Sequence, residues 1–163
     1  MITASKLAGF FSAQAVWGIS EGETLVPMLA YTDQDDKRIL NRLMGEELGA
    51  AVAHGKQQLA SNPMDANDAV LLYDGRITLG GAKVDAIIVE MRAYFSPQSE
   101  ATLAIPYTPK KSGSAFRVHK PKLIVWKNCE DFDMNRVFQA FFEGVSGHGQ
   151  GSKVWTAALD ESI

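Results

Sequence analysis

Asp74 and the triplet Glu90-x-Arg92 form the one combination of side chains in this sequence that points to a reaction. Two carboxylates can hold a divalent cation, which activates a water and clamps the oxygens of a phosphodiester. A nearby guanidinium can neutralise charge developing on the phosphate, although it cannot readily give up a proton and so cannot be a general base. These residues lie in the stretch DGRITLGGAKVDAIIVEMR, residues 74–92. Asp74-Gly75 reads as a tight turn and Gly80-Gly81 as a second. A long strand over 83–95 then carries Glu90 and Arg92.

Strand geometry sorts these side chains, because successive residues point to opposite faces. Ile87, Val89, Met91, Ala93 and Phe95 form one apolar row, which predicts a core face; Ala86, Ile88, Glu90, Arg92 and Tyr94 form the other. In the later segment AFRVH, Phe116 and Val118 are the apolar positions, so Arg117 and His119 share the opposite side. If the register joins these strands, one polar face holds Glu90, Arg92, Tyr94, Arg117 and His119, with Tyr73 or Tyr107 as further members. Alternation by itself predicts a solvated sheet face decorated with cross-strand ion pairs. The same residue types also suit a binding surface: Arg and Tyr favour interfaces, Arg matches carboxylate or phosphate, and a histidine can tune the surface with pH.

The order Asp74…Glu90-x-Arg92, after a helix and on a hairpin, resembles the PD-(D/E)xK nuclease arrangement. That resemblance implies a metal-dependent phosphodiesterase in which two carboxylates hold Mg²⁺. Three departures stand against it: Arg92 occupies the lysine position, Asp74 falls in a turn, and no proline precedes it.

Other chemistry is thin. The three histidines, His54, His119 and His148, are scattered, without the spacing of a zinc site, so no metal site is expected. The single cysteine, Cys129, has no adjacent base and reads as a small buried hydrophobe; it allows no disulfide within the chain. There is no nucleophile elbow, no phosphate-binding loop and no dinucleotide fingerprint, so no cofactor is expected.

The elements that must position these residues follow from periodicity. A helix is expected over 4–14, with Leu7, Phe10 and Phe11 on one side, then a hairpin over AVWGIS-EGE-TLVPMLAYT. Pro27 places the second hairpin strand at an edge or a bulge, and the apolar stretch Thr24–Tyr31 together with Trp17 suits homodimerisation unless Pro27 protects that edge. TDQDD (32–36) reads as an acidic helix start, with the helix running to Ala60 and Gly45 and Gly49 marking a close-packed face. AVLLY (69–73) reads as a strand buried on both faces; strands over 83–95, 101–107, 115–119 and 122–126 follow, the second across the SPQSE turn. A last helix opens at Asp131 or Asp133, buries Met134, Val137, Phe138, Phe141 and Val145, and reaches its C-terminus near Gly144. SGHGQGS (146–152) reads as a flexible Gly-rich connection, and Trp155 as the anchor of the tail.

The expected fold is α+β: an antiparallel or mixed sheet of about five to seven strands with helices packed on it, ordered α-ββ-α-β(meander)-α. This element order is similar to the roadblock and profilin-like folds and to small acidic secretion chaperones, a likeness of topology alone. The 163 residues suit a single domain over 1–163, and 46% hydrophobic with 21% charged residues suits a packed globule. A net charge of −3 argues against general nucleic-acid binding. MITASKLAGFFSAQA is too short in its apolar part for a leader, and no run is long enough for a membrane, so a cytoplasmic protein with no membrane contact is expected. The reading that follows is a small binding protein, not an enzyme, which takes a protein partner or a small ligand on its polar sheet face.

Overall fold

A computed structural model describes residues 1–45, 47–95 and 98–163. In chain order the elements are α1 (Ile2–Ile19), β1 (Met28–Thr32), β2 (Arg38–Arg42), α2 (Leu48–Ser61), β3 (Asp68–Leu79), β4 (Ala82–Ala93), β5 (Ser99–Thr108), β6 (Arg117–Val118), β7 (Lys122–Lys127), α3 (Met134–Ser146) and α4 (Gly149–Ala158). Every named strand pair is antiparallel. The sheet runs β2-β1-β3-β4-β5, and β6 and β7 lie in succession along the outer side of β5. The α+β class and the antiparallel sheet are therefore as expected.

The expected apolar row of β4 is core as far as Ala93; Phe95 lies beyond the strand end and is exposed. Ile87, Val89, Met91 and Ala93 are fully buried with Val70, Leu72, Leu103 and Ile105, beneath Leu7, Phe11 and Val16 of α1. Phe141 of α3 and Trp155 of α4 close the same core, so the tail is anchored as Trp155 predicted. A smaller cluster lies on the other face, where Leu59 of α2 packs on Leu29, Ala69 and Leu71.

Several local expectations give way, each for an identifiable reason. α1 extends through Ile19 and absorbs the first expected hairpin strand, because Ala8, Ser12, Ala15 and Ile19 continue one buried helical face. β1 is not an edge: β2 pairs on one side and β3 on the other, so the stretch Thr24–Tyr31 offers no free edge for a dimer. Pro27 sits just outside β1, where its carbonyl accepts from Leu43 N. TDQDD makes the β1–β2 turn instead of a helix start. Asp33 accepts from the backbone of Asp35 and Lys37, both at 2.9 Å, and such local bonds compete with helix.

Asp74-Gly75 is not a turn either. β3 continues through it, and the hairpin reverses at Gly80-Gly81, which have φ of 56° and 83° as a primed two-residue turn requires. Gly75 instead makes room for Ile88, whose side chain lies 2.9 Å from where a Cβ would stand. Of the AFRVH strand only Arg117–Val118 is paired. Gly45 lies outside α2 and nothing approaches Gly49; Gly55 is the close-packed glycine, against Leu71 and Leu43. Ser96 and Pro97 of the expected SPQSE turn lie outside the described residues.

The last expectation to fall is the flexible connection at 146–152. Asp133 caps α3 as expected, but Gly144 lies within that helix, pressed on the Lys6 carbonyl of α1, and Met134 is exposed. α4 follows at once, since His148 Nδ1 accepts from Gly151 N at 2.9 Å. That bond satisfies one of the orphan donors of the first turn. Gly151 packs on the Ala13 backbone of α1, so the glycines of this segment serve helix contact.

Candidate functional site

Glu90, Arg92 and Tyr94 do come together on the second sheet face, at the margin of α2. The register places Glu90 opposite Leu71 and Thr102, and Arg92 opposite Ala69 and Glu100. Tyr73 donates to Glu90 Oε2 at 2.8 Å, and Lys56 of α2 lies 3.7 Å from the same oxygen. Arg92 lies 3.7 Å from Glu90 and 3.7 Å from Glu100, and donates to the Met91 carbonyl at 3.1 Å. Tyr94 donates to the Leu59 carbonyl of α2 at 2.6 Å.

The result is an alternating row, Lys56–Glu90–Arg92–Glu100, with the side chains of Glu90 and Arg92 only 14% and 13% exposed. Charges this sheltered persist where they are paired. Each charge in the row has an opposite neighbour, so Arg92 is not a free receptor for phosphate. Burial, and for Tyr73 the hydrogen bond to Glu90, hold the Tyr73 and Tyr94 hydroxyls above the ordinary tyrosine value and keep both as donors. Among the described residues, Lys56 and the Leu59 carbonyl join α2 to this cluster.

Arg117 and His119 do not join this group. β6 pairs with Tyr107 and Thr108, and His119 N donates to Pro106 O, whereas Glu90 is level with Thr102 farther along β5. Four strand residues span about 13 Å, which no side-chain contact bridges. His119 is buried, and its Nδ1 lies 3.0 Å from the Asp160 carbonyl. A carbonyl only accepts, so Nδ1 carries the proton. Arg117 is exposed.

The register also separates the carboxylates of the nuclease arrangement. Asp74 pairs with Ile87 and shares its face, while Glu90 points to the opposite one. One metal ion cannot reach both through the sheet. Asp74 accepts instead from Tyr107 at 2.7 Å, beside an Arg76–Asp85 pair at 3.3 Å. Of the two tyrosines considered for the polar face, Tyr73 belongs to it and Tyr107 does not. Cys129 is buried, with its thiol turned to the Lys127 and Glu100 carbonyls at 3.2 and 3.4 Å; burial pushes its pKa up, which opposes reactivity.

Two further features were not singled out by sequence. A groove of about 510 Å³ between α1, the β1–β2 hairpin and α3 is lined by Lys6, Phe10, Thr32, Asp36, Arg38 and Glu143 among others. The Arg38 guanidinium stacks 4.2 Å above Phe10. Two cations and two anions line this groove, so net charge selects no ligand for it. The second feature is the β7 end of the sheet. Val125 and Lys122 continue the second face beyond Thr102 and Ala104, while Trp126 and Leu123 turn to the helical side. A register shift at Thr102/Leu103 leaves Ile124 as the extra residue of β7. Ile124 is 53% and Val125 38% exposed. Alternation in KLIVW could have signalled a strand, but an exposed edge appears only once the sheet order is known.

No family model, no curated protein and no solved structure matches this chain.

Proposed function

We propose that this chain is a non-catalytic interaction protein that engages a protein partner at the β5–β7 end of its sheet. The observation that carries this reading is the exposure of Ile124 and Val125 on a strand at the border of the sheet, next to a face that α2 covers only in part. α2 packs over β1 and β3, and Lys56, on its β4 side, is already 52% exposed. Beyond it Thr102 and Ala104 of β5 are themselves buried, and the exposed apolar surface at this end belongs to Ile124 and Val125 of β7. Exposed apolar residues grouped beside a polar rim are what interaction surfaces present. The polar row Glu90–Arg92–Glu100 reaches β7 where Glu100 pairs in register with Lys127, and it supplies a polar border.

The test is affinity capture with wild-type protein and two variants, followed by proximity crosslinking from position 124. Ile124→Arg with Val125→Arg should lose the partner while keeping its melting temperature. Lys6→Glu, in the distant groove, should retain it. Equal recovery by the edge variant would remove this end of the sheet as the interaction surface.

A further inference from the structure

The outer side of the β6–β7 edge is already used as a template by the chain itself. Leu159 pairs in parallel with Val118, and Asp160 N donates to Val118 O at 2.8 Å. His119 holds the Asp160 carbonyl, and Lys120 lies 3.9 Å from Glu161. An apolar residue followed by two acids thus lies along Val118-His119-Lys120. Asp160 then accepts from Ser162 N at 2.9 Å, and this turn takes the segment off the edge. From Lys122 to Lys127 no further strand pairs on the outer side of β7 among the described residues.

We infer that the free edge of β7 docks an extended segment of a partner, apolar at its centre and acidic at its ends, as an added strand. The backbone supplies the affinity, since an edge strand presents unpaired N–H and C=O groups that an extended chain can satisfy. The side chains supply the selection. Lys122 and Lys127 stand at the two ends of the strand on the second face, with Val125 between them. Neither lysine has a carboxylate within 4.0 Å among the described residues; Lys127 has Glu100 opposite it on β5, whereas Lys122 has only Ala104. A segment with acids opposite the lysines and an apolar residue opposite Val125 meets all three, and cross-strand pairs of this kind are favourable. The neighbouring Leu159-Asp160-Glu161 is a precedent for a segment added to this edge, through one parallel bridge at Val118 and a carboxylate, Glu161, beside Lys120.

A second copy of this chain fits less well. Antiparallel self-pairing of all six residues would set Lys122 opposite Lys127 at both ends, and like charges directly opposite are destabilising. Exposed lysines and a bulge are also the devices by which edges resist self-association.

The inference rests on the proposed interaction role and names its partner. The experiment is an NMR titration of the ¹⁵N-labelled full chain with two capped peptides, DEVTVTVDE and KKVTVTVKK. The acidic peptide should shift and protect the amides of residues 122–127, and the basic peptide should not. Lys122→Glu with Lys127→Glu should weaken the acidic peptide by about tenfold or more and favour the basic one. Val125→Pro, which disrupts the edge without adding charge, should abolish both effects; the lysine variant tests the same point should this one fold poorly. Equal binding of the two peptides, or shifts confined to other strands, would overturn the inference. A concentration-dependent dimer lost with Val125→Pro would also overturn it, and would assign the edge to a second copy. Failure of both peptides alongside loss of the captured partner in the Ile124→Arg, Val125→Arg variant would reject the acidic strand and leave the interaction role standing.

Discussion

The two faces of the sheet are built differently. On the helical face, α1 lies against the strands, and α3 and α4 close over it at backbone distance. A Cβ at Gly9 would strike the Phe141 carbonyl, one at Gly144 the Lys6 carbonyl, and one at Gly151 the Ala13 carbonyl. On the second face, α2 buries only Ala51, Gly55 and Leu59, and its cluster has four fully buried members. The first arrangement is fixed by backbone contact that tolerates no added atom. The second is fixed by a few leucines and a row of ion pairs. Exposure is tolerated away from both helical layers: the end of the sheet beyond α2 presents Ile124 and Val125.

Substitutions on each face test this contrast. The largest effect is expected at Gly144→Val, where the added atoms meet main chain that cannot step aside. A loss of more than about 4 kcal/mol is expected, with all probes of structure lost together in a urea titration. If α1 and α3 simply separate while the protein remains folded, the helical face is looser than its geometry implies. Leu59→Ala comes next, at about 2–4 kcal/mol. Its signature is local: hydrogen exchange should rise in α2 and stay slow in α1 and α3. Uniform acceleration would mean that the two faces unfold as one unit.

Alkaline pH offers a third comparison. Tyr73 and Tyr94 on the second face and Tyr107 on the first all lie above the ordinary value of 10.0 in the folded chain, burial being the largest cause in each case. Tyr73 and Tyr107 are raised further by hydrogen bonds to Glu90 and Asp74. The unfolded chain therefore loses its tyrosine protons first, and stability falls as pH rises past about 10. Thermal melts from neutral to strongly alkaline pH should show this decline beginning near that value, and Tyr73→Phe should lessen it. A flat profile would contradict the burial of these hydroxyls.

Smaller effects are expected at the two polar fastenings. His148→Ala removes the cap of α4 and should cost about 1 kcal/mol, read as a lowered melting temperature. Glu90→Gln should cost about 1 kcal/mol and raise hydrogen exchange at the Lys56 end of α2, since a partly sheltered pair contributes modestly. Mg²⁺ or Mn²⁺ should leave the melting temperature unchanged, because Asp74 and Glu90 face opposite ways. A clear upward shift abolished by Glu90→Gln would restore the carboxylate cluster as a metal site.

The legible parts of the sequence were the long, periodic ones. β4 and α3 could be read because alternation and a helical stripe are properties of a segment by itself. The parts that were misread were short and rich in glycine, aspartate or proline. Gly75 looked like a turn residue but serves the packing of Ile88, and the glycines around His148 looked flexible but admit α4 to α1. For these glycines the space that looked like conformational freedom is taken by a neighbour distant in sequence. The site suffered in the same way: parity placed Glu90 and Arg92 on one face, but only register could exclude Arg117 and His119 from it.

The sequence by itself determined which side chains of each long strand and helix face together, because that follows from backbone period alone. It also determined the α+β class, through the order of those elements. The tertiary structure decided what covers each face and which strand has a free side. Pairing between β1 and β3 removed one expected edge, and the position of β7 outside β5 created another. Those outcomes depend on contacts between segments far apart in the chain, and no local pattern records them.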